Sequence, residues 1–381
     1  MVTLPPDHAR AVLLHAAGFD RDFPSGEAGI VAVLDALDWI QLDPIDRCGQ
    51  NADLVVAARA EGTTRGDVHR VLRGRSFEHF AKERCIVHAR HFAHYRDQAV
   101  ETPWWRNSER MRKLPPSMLD EVLAEVAERG PMPAEALQAR GRVEAMDWAG
   151  WKSTSRAEVL AAEALWTRCA LVVSGRDSRG RRLYDLPSRA IPDHAAAPTP
   201  EAPFFEAMVV ARVRSAGLLS RAGGAMWSML ATARTDGTVE RLLAAGRLEE
   251  VRVGRRPYLA LPETLAIDVP DTLAKAAERA VVLGPLDPLL WDRALVRDVF
   301  AFDYVWEIYK PESERQWGYY VCPVLADARL HSRMEARRER SVLRVERRWG
   351  DLPEPAWNAA IGRLAAMNAA TSIDASRLIQ D

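Results

Sequence analysis

The sequence has little of what marks several large classes of protein. It contains only four cysteines, Cys48, Cys85, Cys169 and Cys322, and none of them belongs to a CxxC pair. This spacing argues against a disulfide framework or a zinc site and favours buried thiols in a reducing compartment. No apolar run approaches the roughly 18 residues of a membrane-spanning helix. The first ten residues lack the basic start and apolar run of a signal peptide, so a cytoplasmic protein is expected.

The chain also lacks an excess of charge of either sign. Its 52 lysines and arginines oppose 53 aspartates and glutamates, which leaves a net charge of −1. Any nucleic-acid surface must therefore come from local segregation of charge. With 381 residues, 48% of them hydrophobic, the chain is longer than a single core usually holds, and two or three domains are expected.

Three segments share one pattern, in which a helix is followed directly by a short strand. In each segment about ten residues carry apolar side chains at i, i+3, i+4 and i+7, and β-like residues follow. The segments are 29–45, 157–175 and 237–255. The second and third continue into hairpin patterns with Gly- and Arg-rich turns. A helix followed by a hairpin is the second half of a winged helix, and helix–turn–helix patterns precede it.

We therefore expect a mostly helical α+β fold with three winged-helix units and a C-terminal antiparallel β-rich module. The units span 1–65, which carries the triplet QLD, 117–193 and 203–265. A helical insert at 66–116 separates the first two units, and a Pro/Ala stretch at 194–203 precedes the third. The β-rich module spans 280–381, where alternating residues from 303 onward predict strands, and it ends in an amphipathic helix. The alternative interpretation is that such patterns arise by chance in an α-rich protein, which is weaker for three units than for one.

Arginines are concentrated in three short segments despite the neutral total. Between His331 and Arg348, seven arginines oppose three glutamates, which gives a local charge of +4, and both hairpin tips are also rich in arginine. Arginine binds phosphate through a planar fork, so these segments predict contacts to a DNA backbone that depend on salt but read no bases. A solvated face in an arginine-rich protein is the alternative. The residues predicted to bind DNA are Arg179, Arg181, Arg182, Arg255, Arg256, Arg333, Arg337, Arg338 and Arg340.

The triplet Gln41–Leu42–Asp43 ends the first helix–strand pattern. In an extended chain Gln41 and Asp43 point to one face, while Ile40 and Leu42 point to the core. A carboxylate beside an amide can hold a water molecule and take its proton, or stabilise positive charge that develops at a sugar C1′. The alternative is that Asp43 merely starts a turn with Pro44 while Gln41 lies on an exposed edge, and spacing alone favours that alternative.

Several stretches, taken together and in order, resemble the AlkZ/YcaQ-like winged-helix DNA glycosylases. The resemblance covers most of the chain. It implies a DNA-repair enzyme that removes alkylated purines and unhooks interstrand crosslinks. The stretches are IQLD at 40–43, FEHFAKERCIV at 77–87, LYDLPSRAIP at 183–192, LGPLDPLLWDR at 283–293 and EIYKPESERQWGYYVCPVL at 307–325.

The resemblance assigns roles to particular residues. Gln41 and Asp43 match the family's catalytic glutamine–apolar–acid triplet and would position and activate the water that displaces the base. The enzyme would be a monofunctional N-glycosylase, a monomer that acts on double-stranded DNA, needs no cofactor or metal and leaves an abasic site. The stretch that starts at Phe77 resembles an aromatic-rich helix of the family. Lys82 in that stretch stands where the family usually has His, and His88 just after it stands where the family usually has Pro. Both positions would lie near the lesion.

Two other classes of function stay open. One is a winged-helix regulator that binds a promoter without catalysis, and the other is a resistance protein that sequesters an alkylating natural product. A regulator would carry basic, base-reading residues on its recognition helices, whereas 27–38 and 156–166 are largely apolar. The spacing of His88, His91 and His94 is compatible with a metal site, but no Cys or carboxylate cluster accompanies them, so DNA contact or a solvated face is favoured.

Overall fold

The computed structural model describes residues 1–101, 112–144, 154–376 and 379–380. Contacts between Cα atoms divide the chain into two units. The first unit consists of 1–71, 80–85 and 205–381, and the second of 72–79 and 86–204. The mixture of helices and sheets confirms the expected α+β class.

The helices form where apolar residues recur with helical spacing. In 27–37, for example, Ile30, Val33, Leu34 and Leu37 are buried along one side. No helix in the described ranges is long and apolar enough to cross a membrane. The α-helices are α1 (Pro6–Ala16), α2 (Glu27–Leu37), α3 (Asn51–Ala57), α4 (Asp67–Val71), α5 (Phe92–Glu101), α6 (Met118–Arg129), α7 (Ala157–Thr167), α8 (Pro187–Ala190), α9 (Pro192–Ala195), α10 (Phe204–Ala216), α11 (Thr238–Ala244), α12 (Pro262–Leu265), α13 (Val269–Ala277), α14 (Arg293–Phe300) and α15 (Glu354–Met367).

The strands are mostly short and belong to several separate sheets. Short 3₁₀ turns connect some of the elements, at Ala89–His91, Ala134–Ala136, Ala225–Trp227, Thr232–Arg234, Pro288–Leu290 and Glu312–Glu314. The strands are β1 (Val2–Thr3), β2 (Trp39–Gln41), β3 (Ser76–Ala81), β4 (Glu83–His88), β5 (Met132–Pro133), β6 (Arg142–Glu144), β7 (Thr154–Arg156), β8 (Val172–Arg176), β9 (Arg182–Asp185), β10 (Leu219–Ser220), β11 (Glu249–Val253), β12 (Arg256–Ala260), β13 (Ala280–Val282), β14 (Val321–Ala326), β15 (Arg329–Glu339), β16 (Val342–Trp349), β17 (Ser372–Asp374) and β18 (Ile379–Gln380).

The helix-to-hairpin order predicted for the second and third segments is confirmed. Helix α7 leads into the antiparallel pair β8–β9, and helix α11 leads into the antiparallel pair β11–β12. The first segment differs, because β2 pairs with β4 rather than with a strand next to it in the chain. There the Leu42 N–H donates to the Arg84 carbonyl at 2.8 Å. The end of β2 is therefore positioned by a segment some forty residues away, which carries Lys82.

The larger sheet of the first unit has the order β13–β14–β15–β16–β17, and β18 also pairs with β16. Strands β14, β15 and β16 are antiparallel, as predicted. Alternate residues Met334 and Ala336 of β15 join a core with Trp357 and Ile361, so α15 covers this face. The predicted terminal helix is therefore confirmed, and its apolar side packs on the sheet.

Residues 303–320 are irregular, and the strands predicted there are wrong. Their amides bond to buried carboxylates rather than to a neighbouring strand. Glu307 accepts the Trp317 N–H at 2.7 Å, and Glu335 accepts the Tyr319 N–H at 2.9 Å. These carboxylates accept amides that a neighbouring strand would otherwise have to bind.

Residues 77–87 form strands, so the helix suggested by the family resemblance is wrong. In β3, the alternate residues Phe77 and His79 both contact Tyr95, with ring centres 5.3 and 5.1 Å apart. Their neighbour Glu78 is also buried. A strand that is buried on both faces loses its polar alternation, so periodicity does not distinguish a short segment of this kind from a buried helix.

Candidate active site

Gln41 is the last residue of β2 and is only 5% exposed. Its carbonyl accepts a hydrogen bond from Asn51 Nδ2 at 2.8 Å, and Asn51 Oδ1 accepts the Leu286 N–H at 3.1 Å. A Cβ atom on Gly284 would lie 2.6 Å from Asn51 Oδ1, so this approach requires glycine. Asn51, which the sequence analysis did not single out, thus joins the end of β2 to the LGPLDPLLWDR stretch.

Asp43 is half-buried and follows the strand in a turn. Its Oδ1 atom accepts the Ile45 N–H at 2.8 Å, which is the side-chain-capped turn that the alternative interpretation anticipated. No hydrogen bond reaches Oδ2 from the part of the chain that the structure describes. Burial raises the pKa of Asp43, and the Ile45 hydrogen bond offsets part of that rise. One carboxylate oxygen is therefore structural, while the other has no hydrogen-bond partner in the described part of the chain.

Lys82 lies directly beside Gln41, within the first unit. Its Nζ atom donates to Gln41 Oε1 at 3.3 Å and lies 5.4 Å from the centre of the Trp291 ring. The residue is 7% exposed and forms no ion pair with any carboxylate of the described residues. Burial lowers the pKa of Lys82 to about 8. The sequence analysis predicted a place near the lesion for Lys82, and the structure sets it against the proposed catalytic amide.

Two further cations, Arg212 and Arg293, are close enough to Lys82 to lower its pKa. Arg212 of α10 is buried, and its guanidinium lies 5.3 Å from the Trp39 ring centre and 5.9 Å from that of Trp291. Arg293 begins α14, and burial lowers its pKa as well. Sequence reasoning missed Arg212, although a single arginine among the apolar residues of VVARV was a signal that it fills a special place. The site is therefore cationic and aromatic.

A buried ion pair fixes the loop that carries Trp291. Arg59 donates from Nη1 and Nη2 to the two carboxylate oxygens of Asp287, at 2.7 and 2.9 Å, and both side chains are 0% exposed. Asp287 also caps the 3₁₀ turn by accepting the Leu289 N–H at 3.0 Å. Trp291 Nε1 donates to the Leu286 carbonyl at 3.0 Å. These bonds hold the indole against Lys82 and Arg212.

Two of the arginines that give 331–348 its local charge of +4 already have partners within the fold. The Arg333 guanidinium lies 4.0 Å from the ring centre of Phe302 and 4.1 Å from that of Trp317, and it donates to the Asp303 carbonyl. Arg337 pairs with two glutamates of the same sheet, at 2.8 and 2.9 Å. These two arginines have structural partners that compete with phosphate.

The remaining predicted DNA-binding arginines divide into paired and unpaired side chains. Three of them pair with a carboxylate of their own unit, namely Arg181 with Asp177 at 2.7 Å, Arg182 with Glu163 at 3.2 Å and Arg256 with Asp298 at 3.8 Å. Four are exposed and form no ion pair with the carboxylates in the described ranges. These four are Arg179, Arg255, Arg338 and Arg340.

The three histidines at i, i+3 and i+6 lie in the second unit. His88 Nδ1 accepts the Arg90 N–H at 3.0 Å and so caps the 3₁₀ turn that follows. His91 is buried, so a solvated face is wrong for this residue. Burial also lowers the pKa of His94. Among the residues that the structure describes, no group of three or more His, Cys, Asp or Glu side chains is placed to hold a metal ion. All four cysteines are buried free thiols.

Two comparisons with known proteins agree with this picture. The fold is similar to that of the DNA glycosylase AlkZ of Streptomyces sahachiroi, with a TM-score of 0.60 and 17% sequence identity over 99% of this chain and 100% of that one. At this level of identity the structural likeness supports the fold alone. The sequence itself matches the family described as DNA glycosylase AlkZ-like over residues 34–367, which include the QLD triplet, Lys82 and the loop of Trp291. The chain therefore belongs to the AlkZ-like family of DNA glycosylases.

Proposed function

We propose that this protein is a DNA-repair glycosylase that hydrolyses the N-glycosidic bond of N7-alkylated purines in double-stranded DNA and leaves an abasic site. The observation that carries the proposal is the pair at the end of β2. Asp43 has one carboxylate oxygen outside its turn, and Gln41 stands two residues before it with its amide held by Lys82. Family membership supports the same reaction class.

In the proposed reaction, the bond between C1′ and N9 breaks and its electron pair stays on the purine. Alkylation at N7 has already made this purine cationic, so it leaves as a neutral base without protonation. Positive charge develops at C1′, and the Asp43 carboxylate stabilises that charge and takes a proton from the attacking water. Because Gln41 Oε1 accepts from Lys82, the Gln41 amide group is left to donate to the water oxygen.

We also propose that 1–65, 117–193 and 203–265 are winged-helix units that bind the duplex, with the insert at 66–116 and the module at 280–381 as further segments. The helix-to-hairpin successions of 117–193 and 203–265, and the exposed Arg179 and Arg255 at their hairpin tips, support this proposal for those two units. A crosslinked base is tied to the opposite strand and cannot be flipped alone, so unhooking of crosslinks, which we include in the proposal, needs its own substrate in the test.

The test uses duplexes that carry a single N7-methylguanine or a nitrogen-mustard crosslink, with base release read as strand cleavage after alkali. The parent protein is expected to release the base. Asp43→Asn and Gln41→Ala should each slow the release by about 10²- to 10⁴-fold while DNA affinity persists. Asp46→Asn, which removes a carboxylate three residues away, serves as the matched control and should retain activity. Asp46 forms an ion pair with Arg65 at the surface of the unit.

Two outcomes would contradict the proposal in different ways. If the Asp43 and Gln41 variants release base as fast as the parent, the site is wrong. If the parent releases nothing from any alkylated duplex, the enzymatic function is wrong. The acid limb of the rate adds a check, because a carboxylate acts as a base only when ionised. Since burial raises the pKa of Asp43, the rate should fall at a higher pH than an ordinary aspartate would give.

A further inference from the structure

We propose that the Lys82 amine makes a second use of the same site, by forming an imine with the C1′ aldehyde of the ring-opened abasic sugar. This inference rests on the proposed function, because base removal supplies the aldehyde. It also goes beyond that function, since a monofunctional glycosylase forms no covalent bond to its product. The substrate of this second step is an abasic site in DNA.

The first support is the position of the amine. Lys82 Nζ lies 3.3 Å from Gln41 Oε1, so a sugar whose C1′ is attacked by a water held at Gln41 also lies within reach of Nζ. The backbone at this point is tightly constrained, because Lys82 is the single residue between β3 and β4 and Glu83 has a left-handed φ of 58°. The Lys82 carbonyl also accepts a hydrogen bond from Cys85 Sγ at 3.2 Å. The amine is thus held beside the Gln41 amide, where the proposed function places the sugar.

The second support is the absence of an acidic partner for Lys82 within the described chain. Glu83, its nearest neighbour in sequence, turns its carboxylate to the Ser228 hydroxyl at 3.0 Å. Lys82 differs in this respect from every other lysine that the structure describes. The others form ion pairs, namely Lys113 with Glu144 at 3.1 Å, Lys275 with Asp271 at 2.7 Å and Lys310 with Glu307 at 2.8 Å.

The third support is the electrostatic environment, which favours the neutral amine that a nucleophile requires. Burial lowers the pKa of Lys82 to about 8 and is the largest effect. Cys85 opposes it most strongly, followed by Glu83, while Arg212 and Arg293 act in the same direction as burial. At pH 8 about half of the side chain is neutral, whereas a lysine with the ordinary pKa of about 10.4 is neutral in well under one molecule in a hundred. Desolvation next to other cations is a recognised way to activate a lysine.

The chemistry requires no other reagent. The lone pair of Nζ attacks the C1′ carbonyl carbon, a C–N bond forms, and the carbonyl π electrons move to the oxygen, which takes a proton. The resulting carbinolamine loses one molecule of water and becomes the imine. Protonation of this imine makes a C2′ proton acidic. When water removes that proton, its electron pair forms the C2′–C3′ double bond, and the C3′–O bond breaks with its electrons leaving on the 3′ phosphate. Water then hydrolyses the imine and restores Lys82.

The experiment traps the imine with cyanoborohydride on a duplex that already contains an abasic site. Reduction converts the imine into a stable amine, which is seen as a protein–DNA band on a denaturing gel and located by peptide mass spectrometry. The parent should give a band that maps to Lys82, and Lys82→Arg should reduce it by at least about tenfold. Lys275→Arg, at an exposed ion-paired lysine, is the matched control and should leave the band unchanged. The yield should rise between pH 6 and 8 as Lys82 loses its proton.

The inference is overturned if the parent gives no band, or if the adduct maps to a residue other than Lys82. Mapping of the parent adduct needs no variant, so it decides the question even if Lys82→Arg fails to fold. The abasic duplex also separates the two proposals. Base release from N7-methylguanine without trapping contradicts the imine alone, whereas trapping without any base release contradicts the proposed glycosylase function.

Discussion

The substitution Asp287→Asn keeps the shape of a buried side chain and removes its charge. In the native protein, Asp287 meets the Arg59 guanidinium in a two-bonded pair at 2.7 and 2.9 Å, with both side chains at 0% exposure. Arg59 also donates to the Ala17 carbonyl at 2.6 Å and lies over the Phe19 ring at 4.4 Å. The arginine is thus held by contacts that remain in the variant, and it cannot easily turn to solvent.

The expected cost of Asp287→Asn follows from this burial. Removing one partner of a buried ion pair leaves an uncompensated charge and destabilises a protein by about 3–5 kcal/mol. That is a large part of the roughly 5–15 kcal/mol that folding usually yields. The ion pair between Arg70 and Glu27 gives the comparison, because its side chains are 57% and 66% exposed at a distance of 2.6 Å. Glu27→Gln should therefore cost far less than Asp287→Asn.

The assay is hydrogen exchange in peptides that cover 51–59 and 283–293, because the chain divides into two compact units and a single melting midpoint would not report on this ion pair alone. The double variant Arg59→Met with Asp287→Asn should lose less stability than the two single variants lose in sum, because it removes both charges. Base release should fall as well, because the loop of Trp291 adjoins Lys82. If Asp287→Asn and Glu27→Gln lose equal stability, the interpretation of Arg59 and Asp287 as a buried, strongly coupled ion pair is refuted.

Two further predictions concern pH and salt. Burial raises the pKa of Asp53 to about 6 despite a hydrogen bond from the Gly66 amide. The folded state therefore binds this proton more tightly than the unfolded state, and stability should fall by up to about 3 kcal/mol as pH rises from about 4 to 6. Asp53→Asn should flatten this dependence in melting temperatures measured across that range, and an unchanged slope would contradict it. Replacing Arg338 and Arg340 with glutamine should lower the salt slope of DNA affinity by about 2, and an unaltered slope would exclude them from the interface.

Much of the order of elements could be predicted, because apolar periodicity is a local property. The succession of α2 and β2, and the helix–hairpin pairs at 157–185 and 238–260, follow from spacing that each segment carries within itself. The prediction failed where partners outside the segment decide the outcome. Residues 77–87 form strands that belong to one sheet with β2, some forty residues earlier in the chain. Near the end of 303–320, Glu335, which lies outside that segment, accepts the amides of Tyr319 and Tyr320.

The same distinction between local and distant determinants applies to the candidate site. The local sequence was enough to place Gln41 on a strand and to identify the family, but β2 ends at Gln41 and Asp43 lies in the turn that follows. The local sequence could not show that Lys82, 41 positions away from Gln41, would contact the Gln41 amide and form no ion pair with the carboxylates of the described residues. The sequence does not distinguish the arginines of 331–348 from one another, yet the Arg333 guanidinium lies over two aromatic rings while Arg338 is exposed. Burial and charge pairing depend on distant parts of the chain, so the reactivity of each side chain emerges only when the fold brings those parts together.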